Sequence, residues 1–335
     1  MLFPQRYVRA IKKYRSHVRL NIQKNNCITK SNFYFNLVCA EAHHMEDSME
    51  IPKILDTLHS DIICEHKSDD YSGDFFHNHN GYELFLFLDG YINYYVEQQG
   101  KKMLRGDLVC IKPYDFHRRE LTKTALYERI IINVRDSVMD TLSSSKTNLS
   151  SCFYRLPAGS INVLHLKEDE VDSFIQLAHQ LSREIKSEEY GSDIESESYI
   201  KQILVFVNRL SNRGNTHKIK PENIMPRMVQ DTMKYIEKHL TETISLDILS
   251  RELHHNGIYI SKRFKEITGL SLQQYIIKKR LILAKSYLNE GVSPLDTCFL
   301  SGFNDYSNFS RTFSKQVGLS PKKYQLHENG QKSSL

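Results

Sequence analysis

The sequence lacks the features that mark membrane-embedded, disulfide-rich and zinc-stabilised proteins. Among its 335 residues, no run approaches the roughly 18 apolar residues that a membrane-spanning helix requires. Its six cysteines are scattered without a CxxC spacing, so the sequence indicates neither a zinc site nor a disulfide framework. With 40% hydrophobic and 25% charged residues, the chain has the composition of a globular protein. We therefore expect a soluble, two-domain protein of a reducing cytoplasm, without a membrane partner.

The charge is not of one sign along the chain. The net charge of +5 is the sum of three blocks that differ in sign. Residues 1–44 carry eight basic residues and one acidic residue, a net charge of +7. Residues 45–222 carry 21 basic and 29 acidic residues, a net of −8, whereas residues 223–326 carry 15 and 9, a net of +6. An acidic middle and a basic end indicate different partners for the two parts.

The basic end contains one pattern twice. Residues 260–271 return as residues 309–320, an offset of 49 positions, and each copy lies within a predicted helix-turn-helix. A single capped helix pair would be ordinary helical packing. In two copies, however, basic residues recur at matching outward positions, for which a hydrophobic core has no use. The repeat therefore favours two recognition helices held at a fixed separation, as in a protein that reads DNA.

Capping signals predict where the helices of this segment begin and end. A first helix is expected around Ile224–Leu240. A long helix, Leu272–Asn289, would separate the two copies. Expected N-caps are Ser245, Asn256, Ser271 (in a capping box with Gln274), Ser293 (before Pro294) and either Asn304 or Asp305, and the expected C-caps are Gly269 and Gly318.

Residues 223–326 resemble the double helix-turn-helix domain of AraC-type transcriptional regulators. The likeness is most specific over residues 302–313, which read GFNDYSNFSRTF. The resemblance implies that two recognition helices enter successive major grooves, about 34 Å apart. Whether Lys262 and Arg311 read bases or clamp phosphate remains open. The residues expected to face DNA are Ile258, Ser261, Lys262, Lys265, Tyr306, Ser307, Ser310, Arg311 and Lys315.

The second copy departs from that family's pattern at three positions. Thr297, Cys298 and Ser301 stand where the family usually has an apolar residue, an alanine and an apolar residue. We therefore expect the second helix-turn-helix to be less tightly packed than the first.

Upstream of the helical domain, short alternating segments punctuated by glycine predict an all-β barrel, with a hairpin turn at Gln98–Lys101. Over residues 60–134 the spacing of histidines, a glutamate and glycines resembles the two cupin motifs. In cupin enzymes such residues bind a metal, and here His77, His79, Glu83 and His117 could do so. We expect instead no cofactor and no metal, but a small effector such as a sugar or related metabolite. The expected effector contacts are His77, His79, Glu83, Tyr94, His117 and Arg119.

Two helix-like stretches follow the barrel. One has an apolar stripe that includes Val171 and Leu181, and the other has a stripe that includes Ile200 and Leu210. They could simply pack on the barrel, but the resemblance favours a dimer interface. The expected divisions are an N-terminal basic extension (1–48), the cupin-like barrel (49–165), the dimerisation segment (166–212), a linker (213–222), the DNA-binding domain (223–326) and a tail (327–335).

The N-terminal extension fits none of these parts. It could be a nucleic-acid-binding arm, and a weak apolar stretch at 33–42 faintly resembles a signal peptide. We favour a third interpretation, in which translation starts at Met45 or Met49.

The expected fold is α+β: a cupin-like barrel with dimerisation helices, followed by an all-α, homeodomain-like double helix-turn-helix domain. The expected function is that of a homodimeric transcription factor, an activator controlled by a small molecule, with promoter DNA and RNA polymerase as partners. It is not expected to be an enzyme. The alternatives are a cupin metalloenzyme with an accessory DNA-binding domain and a DNA-architectural protein without a ligand.

Overall fold

The computed structural model describes residues 58–70, 75–123, 125–156, 161–213 and 223–332. The predictions for the extension 1–48 and for nearly all of the linker lie outside these ranges. The described strands are β1 (Ile62–Asp69), β2 (Gly81–Asp89), β3 (Ile92–Val96), β4 (Gln99–Lys102), β5 (Asp107–Ile111), β6 (His117–Leu121), β7 (Tyr127–Arg135) and β8 (Val163–His165).

The strands form two antiparallel sheets, with the orders β1-β7-β2-β5-β8 and β4-β3-β6. The predicted β-rich region is therefore present, but as two sheets rather than one closed ladder. Strand β2 shows why both faces of the larger sheet are covered. Its even-numbered residues Leu84 and Leu86 join a core under two helices, whereas Phe85 and Phe87 join the core between the sheets.

The hairpin between β3 and β4 turns at Glu97 and Gln98, so the turn predicted at Gln98–Lys101 was placed too late. The misleading signal was Gly100, which lies within β4. A Cβ atom there would approach the Tyr95 ring to 2.5 Å and Ile224 to 2.9 Å. The glycine therefore serves a close packing contact and not the turn, where Glu97 itself adopts a positive φ of 48°.

Helices cover the outer face of the larger sheet. Val171 and Phe174 of one helix, with Ile203 and Val207 of the next, are buried in the core that they share with the sheet. The two apolar stripes thus pack largely within the chain. The elements concerned are α1 (Asp136–Leu142), a 3-10 helix (Leu149–Tyr154), α2 (Glu168–Ile185) and α3 (Ser192–Asn212).

The C-terminal domain, residues 223–332, consists of seven helices within the described ranges. The first is shorter than expected, and the last continues past residue 326 to Lys332. The helices are α4 (Arg227–Lys238), α5 (Leu246–Leu253), α6 (Gly257–Thr268), α7 (Leu272–Asn289), α8 (Pro294–Leu300), α9 (Tyr306–Val317) and α10 (Pro321–Lys332).

The cap predictions for this domain agree with its geometry. Ser245, Asn256 and Ser271 accept hydrogen bonds from the first turns of α5, α6 and α7, and Asp305 does so for α9. Ser271 and Gln274 form the expected capping box. Helices α6 and α9 each end at a left-handed glycine, Gly269 and Gly318.

The sequence repeat is repeated in the packing. Phe264 in α6 meets Tyr275 edge-on, with ring centroids 5.3 Å apart. Forty-nine residues later, Phe313 in α9 meets Tyr324 edge-on at 5.5 Å. Each recognition-type helix is thus anchored by one phenylalanine against a tyrosine of the following helix.

The expected loosening of α8 is not seen in its burial. Thr297, Cys298 and Ser301 are fully buried. The Ser301 hydroxyl donates to the carbonyl of Thr297 at 2.6 Å, and the Thr297 hydroxyl lies 3.4 Å from the carbonyl of Val292. Because these polar groups are satisfied by nearby backbone, their burial carries no desolvation penalty of an unpaired group.

The smaller sheet packs on the first helix-turn-helix. Phe76, Tyr95 and Phe116 share a core with the helices α4, α6 and α7. Beside this core, the Lys279 ammonium of α7 donates to the Glu97 carboxylate at 2.6 Å and to that of Glu237 at 3.1 Å. Within the described ranges, no helix is both long and apolar enough to span a membrane.

Candidate functional site

The predicted DNA-facing residues lie on the outer surfaces of α6 and α9. Ile258, Lys262 and Lys265 are exposed on α6, with Ile258 77% exposed. On α9, Tyr306, Ser307, Arg311 and Lys315 are exposed, whereas Ser261 on α6 and Ser310 on α9 are half-buried. Their apolar neighbours point the other way, into separate cores. Each helix therefore presents a polar, largely basic face that can approach a nucleic acid.

Residues beside these faces were missed by the sequence reasoning. Tyr259 is 52% exposed in the first turn of α6, and Asn308 is exposed in the first turn of α9. The N-terminal part of a recognition helix commonly contacts base edges. The signal was available, because both residues lie within three positions of a predicted N-cap.

The six predicted effector contacts form a second group, termed the interior cluster, between the two sheets. Glu83 lies at its centre and is 5% exposed. Its carboxylate accepts a hydrogen bond from the Tyr94 hydroxyl at 3.1 Å and lies 2.9 Å from Nε2 of His79 and 3.6 Å from Nε2 of His117. The His77 ring lies against the His117 ring, with centroids 4.2 Å apart. The cluster consists of His77, His79, Glu83, Tyr94, His117 and Arg119.

Backbone contacts orient His117. Its Nδ1 lies 3.0 Å from the carbonyl oxygen of Asp115, so this nitrogen carries the proton and donates. The unprotonated Nε2 then points at the Glu83 carboxylate and has no hydrogen-bond partner among the described residues. Two acceptor atoms therefore face each other at 3.6 Å. This arrangement is complete only when a hydrogen-bond donor or a cation lies between them.

The burial of the cluster decides its charges. Burial lowers the pKa of His117 to about 4, although Glu83 opposes this shift. Burial, with His117 nearby, also holds the pKa of His77 well below its usual range. For Glu83, burial would raise the pKa, but His117, the hydrogen bond from His79 and Arg119 more than offset it, so the net shift is downward. At neutral pH the cluster thus presents the Glu83 carboxylate and the neutral imidazoles of His77 and His117, the forms that bind metals or accept hydrogen bonds.

Several of these donors could hold a metal. One nitrogen each of His79 and His117 and one oxygen of Glu83 lie within 4.8 Å of one another. His77 is not in this group, although it touches His117. The types of donor fit a divalent transition metal.

The interior also contains polar residues that the sequence reasoning did not identify. Arg129 of β7 is 2% exposed and makes a two-bond ion pair with Asp69, at 2.7 and 2.9 Å. The guanidinium lies 4.2 Å from the centre of the Tyr127 ring. The alternation of Tyr127, Arg129 and Asn133 along one face of β7 was the available signal, hidden by the apolar run 130–132.

Comparison with known proteins identifies the C-terminal domain. Residues 249–327 match the family model described as a helix-turn-helix domain. The probable transcription factor PqrA of Proteus vulgaris is 31% identical over 106 residues, which cover 31% of this chain and 85% of PqrA. The chain belongs to the AraC-type family of helix-turn-helix transcriptional regulators. It is thus a DNA-binding transcriptional regulator.

The share of a relative's length that the chain matches varies widely. The probable transcriptional regulator LumQ of Photobacterium leiognathi is 38% identical over 93 residues, 28% of this chain, but the match spans only 38% of LumQ. A crystal structure of apo ToxT from Vibrio cholerae, carrying one substitution, overlaps 80% of this chain and 98% of ToxT, with 12% identity and a TM-score of 0.33. This structural similarity is too weak to support any functional inference.

Proposed function

We propose that this AraC-type protein binds promoter DNA through α6 and α9, in two successive major grooves, under the control of a small molecule bound at the interior cluster. The carrying observation is the repeat of capped helices with outward basic residues and inward phenylalanines, Phe264 and Phe313. The separation of the two helices is maintained by α7, whose 18 residues extend about 27 Å. This length is comparable to the roughly 34 Å between successive grooves on one face of the duplex.

The DNA contacts follow from the exposed faces. Lys262 and Arg311 lie on corresponding surfaces of the two helices, 49 positions apart. Both are exposed, and both can reach either a phosphate or a base edge. The proposed contact set is Ile258, Ser261, Lys262, Lys265, Tyr306, Ser307, Ser310, Arg311 and Lys315.

The effector proposal depends on the unsatisfied acceptors of the interior cluster. Nε2 of His117 and Nδ1 of His79 are buried without hydrogen-bond partners among the described residues. A small molecule rich in hydroxyl groups, such as a sugar or related metabolite, could donate to these atoms while Arg119 and Tyr94 contact its oxygens. The two-sheet architecture around the cluster supports the cupin-like description of this region.

A divalent metal is the competing occupant of the same cluster. Two imidazoles and a carboxylate fit it, and such a centre would support the alternative of a cupin metalloenzyme. We favour the regulator without enzymatic activity, because the relatives of its C-terminal domain are named as transcription regulators. We also propose that it works in the cytoplasm with RNA polymerase, as an activator.

A homodimer is proposed on the outer face of α2 and α3. The buried stripes of these helices are occupied by the larger sheet, and partly buried apolar side chains beside those stripes remain open to solvent. Leu177, Val205 and Phe206 line a crevice there, together with Lys201 and Arg209. If this face pairs two copies, Phe206→Asp should convert the dimer to a monomer in sedimentation equilibrium, whereas Arg183→Ala on α2, outside the crevice, should not. A wild-type monomer at all concentrations would contradict the proposal.

The DNA-binding proposal is tested by selecting duplex fragments with the purified protein at about 150 mM salt, because phosphate contacts make affinity steeply salt-dependent. The expected result is one discrete site that spans two major grooves. Arg311→Ala and Lys262→Ala should each weaken recognition of a different half of that site. Recovery of unspecific DNA only, with or without candidate effectors, would refute the proposed function.

The effector proposal is tested by thermal shift with a metabolite panel, with and without EDTA. A hydroxyl-rich effector should stabilise the protein in EDTA, and Tyr94→Phe should weaken that shift, while the surface variant His239→Ala should leave it unchanged. Stabilisation by a divalent metal alone, lost in His79→Ala, would favour the metal centre instead.

A further inference from the structure

The C-terminal end of the first recognition helix, α6, is hydrogen-bonded by the β region, the part of the chain that contains strands β1 to β8. The last carbonyls of a helix lack partners within the helix and need donors from elsewhere. The carbonyl of Lys265 accepts from the amide of Gly269. The carbonyls of Glu266 and Ile267 both accept from Nη1 of Arg118, which lies on β6. The carbonyl of Thr268 accepts from the backbone amide of Phe76 at 2.7 Å.

The two donors sit on the reverse side of the interior cluster. His77 and His117 exchange backbone hydrogen bonds at 3.1 and 2.9 Å, and their side chains face the cluster. Phe76 precedes His77 and Arg118 follows His117 in the chain. Successive side chains of an extended strand point to opposite faces, so Arg118 reaches the end of α6 while His117 faces the cluster. The backbone amide of Phe76 adds a second contact to the same helix end.

The contacts leave the DNA-facing surface of α6 uncovered. They involve the last three residues of the helix, whereas Ile258 and Lys262 lie nearer its start and are exposed. The β region therefore fixes the direction of α6 without occluding its polar face. A guanidinium is well suited to this, because its charge also complements the negative end of the helix dipole.

We propose that Arg118, a residue of the β region, is a positioning residue for DNA recognition by the first helix-turn-helix. It holds α6 in one orientation before DNA arrives, so that less ordering is needed on binding. This role rests on the proposed DNA-binding mode of α6 and adds to it a contact from outside the DNA-binding domain.

The test compares full-length wild type, Arg118→Ala, Arg118→Lys and the control Arg183→Ala. Arg183 is an exposed arginine on α2 that pairs with its neighbour Glu184. Duplexes carry the selected site intact, with the first half scrambled, or with the second half scrambled. We expect Arg118→Ala to raise the Kd for the intact site about fivefold, to keep that penalty when the second half is scrambled, and to lose it when the first half is scrambled. Arg118→Lys should be intermediate, because one ammonium lacks the planar fork of arginine, and Arg183→Ala should match wild type.

Hydrogen–deuterium exchange supplies a readout that does not depend on DNA. Arg118→Ala should speed exchange in peptides covering 257–270 and leave those covering 306–318 unchanged. Equal losses on both scrambled duplexes, or unchanged exchange in 257–270, would overturn the positioning role. Failure of wild type to select any discrete site would instead refute the DNA-binding mode, while the exchange result would still decide whether Arg118 orders α6.

Discussion

The two helix-turn-helix units share a sequence pattern but differ in what surrounds them. The first, built on α5 and α6, buries Phe264 in a core that also contains Phe76, Tyr95 and Phe116 of the β region. The second, built on α8 and α9, buries Phe313 in a core made almost wholly by its own domain, including Phe303, Phe309 and Tyr324. Tyr114 is the β-region residue packed at its edge.

Two units with the same sequence pattern can therefore be held in place by different parts of the chain. The orientation of the first unit depends on a distant part of the chain, and that of the second depends on its own aromatic packing. Gly302 links the two units, because a Cβ atom at this left-handed position would lie 2.8 Å from Cα of Thr241. The second unit is therefore positioned mainly against the first, and its core meets the β region at Tyr114.

The largest effects should come from the two equivalent phenylalanines. Phe264→Ala and Phe313→Ala each remove a fully buried ring and should lower the free energy of unfolding by about 3–5 kcal/mol. The two substitutions should differ in whether they also loosen the β region. Phe264→Ala should also speed hydrogen exchange in β3 and β6, whereas Phe313→Ala should not. Similar exchange in the two variants would show that the cores are not separated in this way.

The next-largest effect should come from the ion pair between Lys279 of α7 and Glu97, which follows β3. Lys279→Met leaves the Glu97 carboxylate buried beside Phe116 without its cation and should cost about 3 kcal/mol in urea denaturation. The pKa of Lys279 supports the strength of this ion pair. Burial lowers that pKa, but the nearby carboxylates, Glu97 first among them, more than offset burial and hold the pKa well above its usual value. Adding Glu97→Gln should restore part of the loss.

The matched control for that variant is Lys67→Met on β1. Lys67 pairs with Glu65 at the surface, and an exposed pair contributes about 0.5 kcal/mol or less. Equal losses in Lys67→Met and Lys279→Met would contradict the distinction between the buried Lys279–Glu97 pair and a surface pair.

Smaller effects are expected at the DNA surface. Arg311→Ala should weaken binding by about 1–3 kcal/mol if Arg311 reads a base, and relax preference at one base pair only. If it clamps phosphate, the loss should be uniform across sequences and the salt slope should fall by about 1. Lys262→Ala applies the same measurement to the first unit. If a variant shows neither a loss at one base pair nor a uniform loss with a lower salt slope, its residue does not contact DNA.

The smallest effect concerns Asp115, which lies between the two regions. Burial, and then Glu97, raise the pKa of this carboxyl to about 6. Because the folded protein holds this proton more tightly than the unfolded chain, wild-type stability should fall as pH rises from about 4 to 6. Asp115→Asn should therefore gain about 1–2 kcal/mol relative to wild type between pH 4.5 and pH 7.5, measured by urea denaturation. A constant difference at the two pH values would contradict the assigned cause.

The sequence was most informative where the deciding interaction is local. The caps Ser245, Asn256 and Ser271 bond to amides two or three residues away, so their geometry can be predicted from a short window. The turn after β3 could not be predicted in this way. Gly100 is required by its close packing against Ile224, which lies 124 positions away, and not by the turn. A separation of 182 positions likewise hid the pairing of Lys279 with Glu97.

The candidate sites divide along the same line. The resemblance to the cupin motifs suggested that His77, His79, Glu83 and His117 would meet, and ligand atoms of the last three lie within 4.8 Å of one another. Arg129 and Asp69 went unnoticed, because their pairing depends on how β1 and β7 align. The assignment of DNA contacts and of effector contacts stays a prediction.

The length of helix α7 constrains how this domain can evolve. Each residue of an α-helix adds 1.5 Å and about 100° of rotation. One residue inserted after Lys279 would leave Lys262 in place but swing Arg311 to a different side of the duplex. Substitutions along α7 can be absorbed one by one, whereas an insertion or deletion would put the two halves of the domain out of phase with the double helix. Its residue count should therefore vary far less among relatives than its residue identities.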